Sequence, residues 1–219
     1  TAQDHKRVYE NDKGPNTGGM GAYSPAPIVT KTLEKKIISK IIKPTLKALK
    51  TKKKSYNGFL YVGLMIKNDE PFLIEYNIRM GDPECQVILP RLKTDIVKVF
   101  KKATLNKLKS IKIKWKKQKC MTIVLCAKGY PGSYKKNLLI NNIKKIKLSK
   151  SDFIYHAGTK IRKGVLRSNG GRVLNISSLG DSFFKIRKKI ILNIKKLSLK
   201  NFFYRKDIGW KVIKNNANY

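Results

Sequence analysis

The apolar positions of this chain change their period several times, and each change predicts an element. From Thr30 onward Leu33, Ile37, Ile38, Ile41 and Ile42 recur at steps of three and four, the repeat of one helix face. Thr30 suits the N-cap and Glu34 the first turn, and Pro44 should bend or interrupt the helix before Leu46 and Leu49 resume the stripe. This helix is expected to pack under a sheet with its lysines in water. Between Gly58 and Lys67 the run Phe-Leu-Tyr-Val-Gly-Leu-Met-Ile predicts a buried strand, which Asn68-Asp69-Glu70 turns into a second strand from Pro71 to Tyr76. Asp82-Pro83-Glu84 starts a helical turn over Cys85 to Leu92, and Thr94-Asp95 caps a helix through Ala103.

Residues 106 to 119 are Lys-rich and weakly patterned, which suits a connection between subdomains. After it come predicted strands at Met121 to Ala127, Phe153 to Ala157 and Arg172 to Ser178, with turns at Gly129-Tyr130-Pro131-Gly132 and Asn169-Gly170-Gly171. Asp181 or Ser182 then caps a helix whose Phe183, Ile186, Ile190, Ile194 and Leu197 share one face. Near the end, Arg205-Lys206-Asp207-Ile208-Gly209-Trp210 sets a carboxylate between two cations beside an indole, a clasp that holds the tail to the body. The fold class is α+β.

Composition changes the picture through charge. The 219 residues are 41% hydrophobic, enough for one large or two small domains with a real core, yet 50 Lys and Arg face 13 Asp and Glu, a formal charge of +37. Such a chain adheres to nucleic acid and anionic surfaces at low salt whatever its function. Only eight of the 50 cations are Arg, and the 42 Lys are spread over almost every segment together with Ile and Asn. A dedicated nucleic-acid binder clusters its basic residues, so the pattern reads as drift at replaceable surface positions, and no specific nucleic-acid partner is expected. No acid occurs between Asp95 and Asp152, whereas Asp4, Glu75, Asp82, Glu84 and Asp207 stand in the motifs described below, which points to an enzyme. Cys85, Cys120 and Cys126 form no CxxC pair, and their odd number argues for buried thiols in a reducing compartment. No run of eighteen apolar residues and no signal-peptide pattern is present, so the expected location is cytoplasmic, with no membrane partner.

The densest chemistry lies in Leu73-Ile74-Glu75-Tyr76-Asn77-Ile78-Arg79-Met80-Gly81-Asp82-Pro83-Glu84. Period-two spacing puts Glu75, Asn77 and Arg79 on one face if the strand continues that far. Glu75 and the Asn77 amide oxygen suit Mg2+ or Mn2+ on nucleotide phosphates, and the Arg79 fork suits a phosphate or carboxylate. The same spacing also suits a strand edge carrying solvated polar residues. Asp4, Lys6 and Arg7, at the end of an opening strand, form a cluster that could hold an amine or a phosphate, or simply a surface turn. Thr17-Gly18-Gly19-Met20-Gly21 can bring backbone N–H groups close to an anion, although it matches neither a Walker loop nor a dinucleotide fingerprint. Asp82 and Glu84 read equally as helix-start residues favoured by the dipole and as ligands for an ammonium group. Arg172, after a tight glycine turn, reads as a turn arginine in solvent, and His156 as a packed strand residue.

Glu75-x-Asn77-x-Arg79 resembles the metal-binding strand of ATP-grasp ligases. The words Gln3-Asp4-His5-Lys6-Arg7, Gly14 to Pro25, Arg79 to Glu84 and Arg205 to Trp210 are similar, in order, to the phosphoribosylamine–glycine ligase family. The resemblance implies the second half of an ATP-grasp domain, an antiparallel sheet with packed helices, over residues 1–110, and a small α+β C-terminal domain over 111–219. The family's N-terminal substrate domain and first ATP-grasp subdomain are expected to precede Thr1. It also implies joining of glycine to 5-phosphoribosylamine at the expense of ATP through a glycyl phosphate. Within that reading Glu75 and Asn77 hold the metal, and Arg79, Asp4 and Lys6 serve catalysis. Asp82, Thr17, Gly18, Gly19 and Arg172 contact substrates. Many ATP-grasp enzymes take a second metal carboxylate from the preceding strand, but Gly58 to Ile66 contains no acid. The chain is expected to be a fragment with little activity until joined by the missing N-terminal half. The rival expectation is a catalytically inactive basic remnant that binds nucleic acid or anionic surfaces.

Overall fold

The structure is a computed structural model, and it describes residues 1–51 and 56–214. By their contacts these residues form two compact units. One comprises Thr1–Pro25, Asp82–Arg91 and the chain from Lys116 onward; the other comprises Ala26–Gly81 and Leu92–Trp115. The compact units therefore do not follow the linear division at 110 and 111, because residues at the start of the chain pair into a sheet built largely by its second half.

That sheet is antiparallel throughout, in the order Gln3–Asp4, Gly21–Ser24, Lys119–Ala127, Arg172–Gly180, Asp152–His156, with Phe202–Phe203 pairing on the end of Lys119–Ala127. Cys120 to Ala127 is an unbroken buried run, as expected of a central strand covered on both faces. Its partner Arg172–Gly180 keeps register from Leu174↔Leu125 to Gly180↔Lys119 but shifts between Arg172 and Leu174, which leaves Val173 as an extra residue. The helix Phe183–Ile194 lays Phe183, Ile186, Ile190 and Ile194 into the core beside Ile123, Leu125 and Ile176. Each such side chain contributes about 1.5–3 kcal/mol of burial. Ser182 occupies the N-cap position, but its side chain makes no capping bond, so the expected cap is positional only. Leu197 is buried just past the helix end.

The hairpin Thr159–Arg162 and Val165–Ser168, turned by Lys163 and Gly164 at positive φ, went unread in the sequence. Its four-residue strands, TKIR and VLRS, are too short to show a clear period-two apolar face. His156, expected to be packed, is exposed at the end of its strand, with Nδ1 3.0 Å from Thr159 Oγ1.

In the second unit Thr30 caps the helix Lys31–Ile37 by accepting from Leu33 N at 3.1 Å. Pro44 has no N–H to return to the preceding turn, and the helix takes up the misfit as a wide π turn over Ile38–Ile42 before Lys43–Thr51. Two of its lysines do not simply face water: Lys36 and Lys40 reach Glu70 at 2.5 and 2.8 Å. Those two ammonium groups, Lys36 first, pull the exposed Glu70 carboxyl down to about 2. Glu70 opens the strand Glu70–Asn77, which pairs with Tyr61–Lys67 through a two-residue turn in which Asn68 and Asp69 both have positive φ.

The first strand of that hairpin is not buried as its composition predicts. Met65 is 58% exposed and Phe72 opposite it 55%; helix Lys31–Ile37 packs against the second strand, and Thr45 bonds the Tyr76 hydroxyl. Asp95 caps Ile96–Thr104 as expected, accepting from Val97 N and Lys98 N. No helix among the described residues is long and apolar enough to cross a membrane.

Candidate functional site

Glu75 and Asn77 end the exposed hairpin strand. Gly63 pairs with Glu75 and Tyr61 with Asn77, so the two side chains share a face, and Asn77 Nδ2 donates to Glu75 Oε1 at 3.2 Å. The register shifts between Gly63 and Leu64, which leaves Ile74 as the extra residue. A Cβ on Gly63 would lie 3.0 Å from Glu75 Cγ, so the glycine leaves room for the carboxylate arm. The strand stops at Asn77, so Arg79 does not continue its face; its Nη1 donates instead to Met80 O at 2.9 Å.

This donor pair fits a hard cation in part. Mg2+ is commonly held by one or two protein oxygens, with phosphates and water completing the shell. Among the described residues no group of three His, Cys, Asp or Glu gathers to hold a metal alone. Turning the Asn77 amide by half a rotation presents both oxygens together.

The remaining candidates lie in the first unit. Lys6 Nζ sits 3.1 Å from Asp4 Oδ2 beside the short edge strand Gln3–Asp4. The glycine loop does not offer the anion cradle its composition suggests, because its N–H groups are engaged within the protein. Thr17 N donates to Lys6 O and Met20 N to His5 O, both at 2.8 Å; Gly18 N donates to Tyr130 Oη and Gly19 N to Thr17 Oγ1, both at 2.9 Å. The glycines serve close approach. A Cβ on Gly18 would lie 2.9 Å from Arg172 Cζ, and one on Gly19, at φ +113°, 2.5 Å from Pro83 Cδ. Arg172 Nη1 donates to Gly18 O at 2.7 Å and to Asp82 O at 2.8 Å, and Nη2 to Asp82 Oδ2 at 2.9 Å. Asp82 Oδ1 accepts from Gln86 Nε2 at 2.8 Å. Thr17, Gly18, Gly19, Asp82 and Arg172 are thus one constellation, to which Tyr130, missed in the sequence reading, is the addition. Its Gly-Tyr-Pro-Gly setting reads as a turn and gives no hint of a partner more than a hundred residues away.

A second cluster was legible only as a clasp. The Arg205 side chain is 1% exposed and is the hub: Nε and Nη2 grip Asp207 at 2.8 and 2.7 Å, and Nη1 reaches Arg7 O and Asp12 Oδ1 at 2.9 and 3.0 Å. His5, also buried, accepts Gly209 N–H on Nε2 at 2.9 Å, which puts its proton on Nδ1, 3.5 Å from Asp12 Oδ1. The approach of the His5 ring, with Lys211 and Arg205, holds the Asp12 carboxyl well below the usual carboxylate range. Burial works against the charged form of Asp207, but Arg205 and the Asn11 N–H outweigh it and its carboxyl is lowered. These bonds fasten the opening segment of the chain to the segment around Arg205 and Asp207.

Two family models match in chain order: phosphoribosylglycinamide synthetase, ATP-grasp (A) domain, over residues 1–85, and phosphoribosylglycinamide synthetase, C domain, over residues 120–211. A phosphoribosylamine–glycine ligase of Caldanaerobacter subterraneus subsp. tengcongensis is 44% identical over 209 residues, 95% of this chain and 49% of the relative. The chloroplastic phosphoribosylamine–glycine ligase of Arabidopsis thaliana is 40% identical over 218 residues, 98% of this chain and 41% of the relative. The crystal structure of phosphoribosylamine–glycine ligase from Thermotoga maritima superposes with a TM-score of 0.77 at 32% identity, covering 94% of this chain and 50% of that one. Phosphoribosylglycinamide synthetase from Anaerococcus prevotii, at 14% identity and a TM-score of 0.62, shares the fold. The chain spans about half the length of the curated relatives it matches.

Proposed function

The chain belongs to the phosphoribosylamine–glycine ligase family, matching the C-terminal half of its members, and from that premise we propose that it supplies half of an ATP-dependent carbon–nitrogen ligase of purine biosynthesis. The substrates are glycine and 5-phosphoribosylamine. A carboxylate oxygen of glycine takes the γ-phosphoryl group of ATP, releasing ADP and leaving glycyl phosphate. The ribosylamine nitrogen then attacks the carbonyl carbon, loses a proton and expels phosphate, giving glycinamide ribonucleotide. No protein nucleophile is required, and the burden falls on positioning and on spreading phosphoryl charge. A bound Mg2+ or Mn2+ supplies charge neutralisation at the phosphates.

Within this reading Glu75 and Asn77 hold the cation, and their shared strand face supports the assignment. Arg79 steadies phosphate oxygens. Asp4 and Lys6 place substrate charges, and Asp82 with the Thr17, Gly18 and Gly19 loop forms a wall of the substrate site, with Arg172 fixed against it. Residues 1–110 then act as the ATP-grasp part and 111–219 as the C-terminal domain, a division supported by the unmatched interval 86–119 between the two family models. The N-terminal half that the relatives carry completes the site, and the reaction belongs in the cytoplasm.

The observation that carries the proposal is the ordered match of both domain models over a chain about half the length of its relatives. The test is ligation by this chain mixed with a separately produced N-terminal half of a relative. Product is expected with wild type, none with Glu75→Ala, and little from the chain alone. Two halves that associate yet form no glycinamide ribonucleotide would overturn it.

A further inference from the structure

Four segments far apart in sequence meet at the Gly18 loop, and we infer that Tyr130 and Arg172 are the positioning residues that set this loop and the Asp82 carboxylate. The inference rests on the ligase reading above. Gly18 and Asp82 belong to the part matched by the ATP-grasp model, whereas Tyr130 and Arg172 belong to the part matched by the C-domain model. The C-terminal region thus contributes by fixing backbone and carboxylate that the earlier region presents.

Three glycines make the arrangement possible. Gly18 admits the Arg172 guanidinium, Gly19 admits the Pro83 ring, and Gly171 admits the Tyr130 ring, which a Cβ at 171 would meet at 2.2 Å. The register shift at Val173 sits beside Arg172, where a bulge re-aims the side chain away from the regular ladder. Tyr130 then accepts Gly18 N–H and Arg172 binds Gly18 O, so the same peptide neighbourhood is fixed from both its donor and its acceptor side.

Stability alone does not account for this. The Asp82 side chain is 46% exposed, and an ion pair in such a place contributes about 0–1 kcal/mol. Arginine is also scarce here, eight of 50 cations, and Arg172 holds two carbonyl oxygens and a carboxylate at once, a geometry lysine cannot reproduce.

Tyr130→Phe removes only the hydroxyl and keeps the ring on Gly171; Arg172→Lys keeps the charge and removes the fork. In the chain alone, Gly18 amide exchange should rise about tenfold or more in Tyr130→Phe while the Ile123 and Ile176 amides are unchanged. In the two-half ligase, both variants should raise the KM for glycine or lower kcat by about tenfold, with the melting temperature held within about 2 °C of wild type. Wild-type turnover beside variants of unaltered KM and kcat overturns the positioning role and leaves the ligase reading standing. A lowered melting temperature with unaltered kinetics likewise assigns the pair to stability and overturns it. No turnover by the wild-type pair overturns the ligase reading, and the positioning role with it.

Discussion

Arg205 Nη1 meets Asp12 Oδ1 at 3.0 Å across 193 residues of chain, so a buried guanidinium joins the opening segment to the closing one. With Asp207 gripped at both oxygens and Arg7 O accepting as well, every edge of the fork has a partner. Removing it leaves two carboxylates facing each other, and Lys211, 2.9 Å from Asp12, offsets only one of them. Arg205→Met should cost about 3–5 kcal/mol in urea unfolding, and Arg205→Lys should recover less than about half of that. A variant within about 1 kcal/mol of wild type would show that the clasp does not secure the fold.

The same cluster sets an acid limit. Asp12 and Asp207 titrate lower in the folded chain than the ordinary value of 3.8, so their contribution is complete above that value. It is lost as pH falls toward the folded values, where the native state must take up protons that the unfolded chain binds more readily. Unfolding free energy should therefore fall steeply from about pH 4 to about pH 2, and Asp12→Asn should flatten that slope. Parallel slopes for the two proteins would exclude Asp12 as the source.

Two glycines at positive φ provide a matched pair. Gly19, at +113°, has Pro83 Cδ 2.5 Å from the Cβ position, whereas Gly164, at +71°, has nothing within 4 Å. Gly164→Ala should cost only the left-handed backbone penalty, about 1–2 kcal/mol. Gly19→Ala adds a clash with a rigid ring and should cost about 1–3 kcal/mol beyond that, measured by the same denaturation. Equal costs would mean that the Pro83 contact relaxes freely.

At the proposed cation site, Glu75→Gln should weaken Mn2+ binding in the presence of ATP by about tenfold or more, read from the paramagnetic resonance of free Mn2+. Gly63→Val keeps the carboxylate but crowds its Cγ, and should weaken binding by a smaller factor. Unchanged affinity in Glu75→Gln would remove this residue from the metal reading.

The thiols should be slow. Burial pushes Cys120 and Cys126 up to about 12 and also raises the half-buried Cys85. At about pH 8 the native chain should release little chromophore from an aromatic disulfide reagent, with any early reaction at Cys85, and all three thiols should react after unfolding. Rapid reaction of two or more native thiols would contradict the packed central strand.

What the sequence determined by itself was local. The period of Leu33, Ile37 and Ile41, the Thr30 and Asp95 caps, the Asn68-Asp69 turn and the strands read at 121–127 and 172–178 follow from residue chemistry acting over a few positions, and the family words follow from residue identity. The Glu75 and Asn77 pairing was legible for the same reason, since alternation along one strand needs no partner to be stated. Tertiary structure decided the rest. It ended the strand before Arg79, left Met65 and Phe72 exposed, and turned the N–H groups of the glycine loop inward. It also set Tyr130 and Arg172 on Gly18, and Arg205 between Asp12 and Asp207. Each of these depends on which distant segment fills the space beside a residue, and spacing along the chain carries no record of that neighbour.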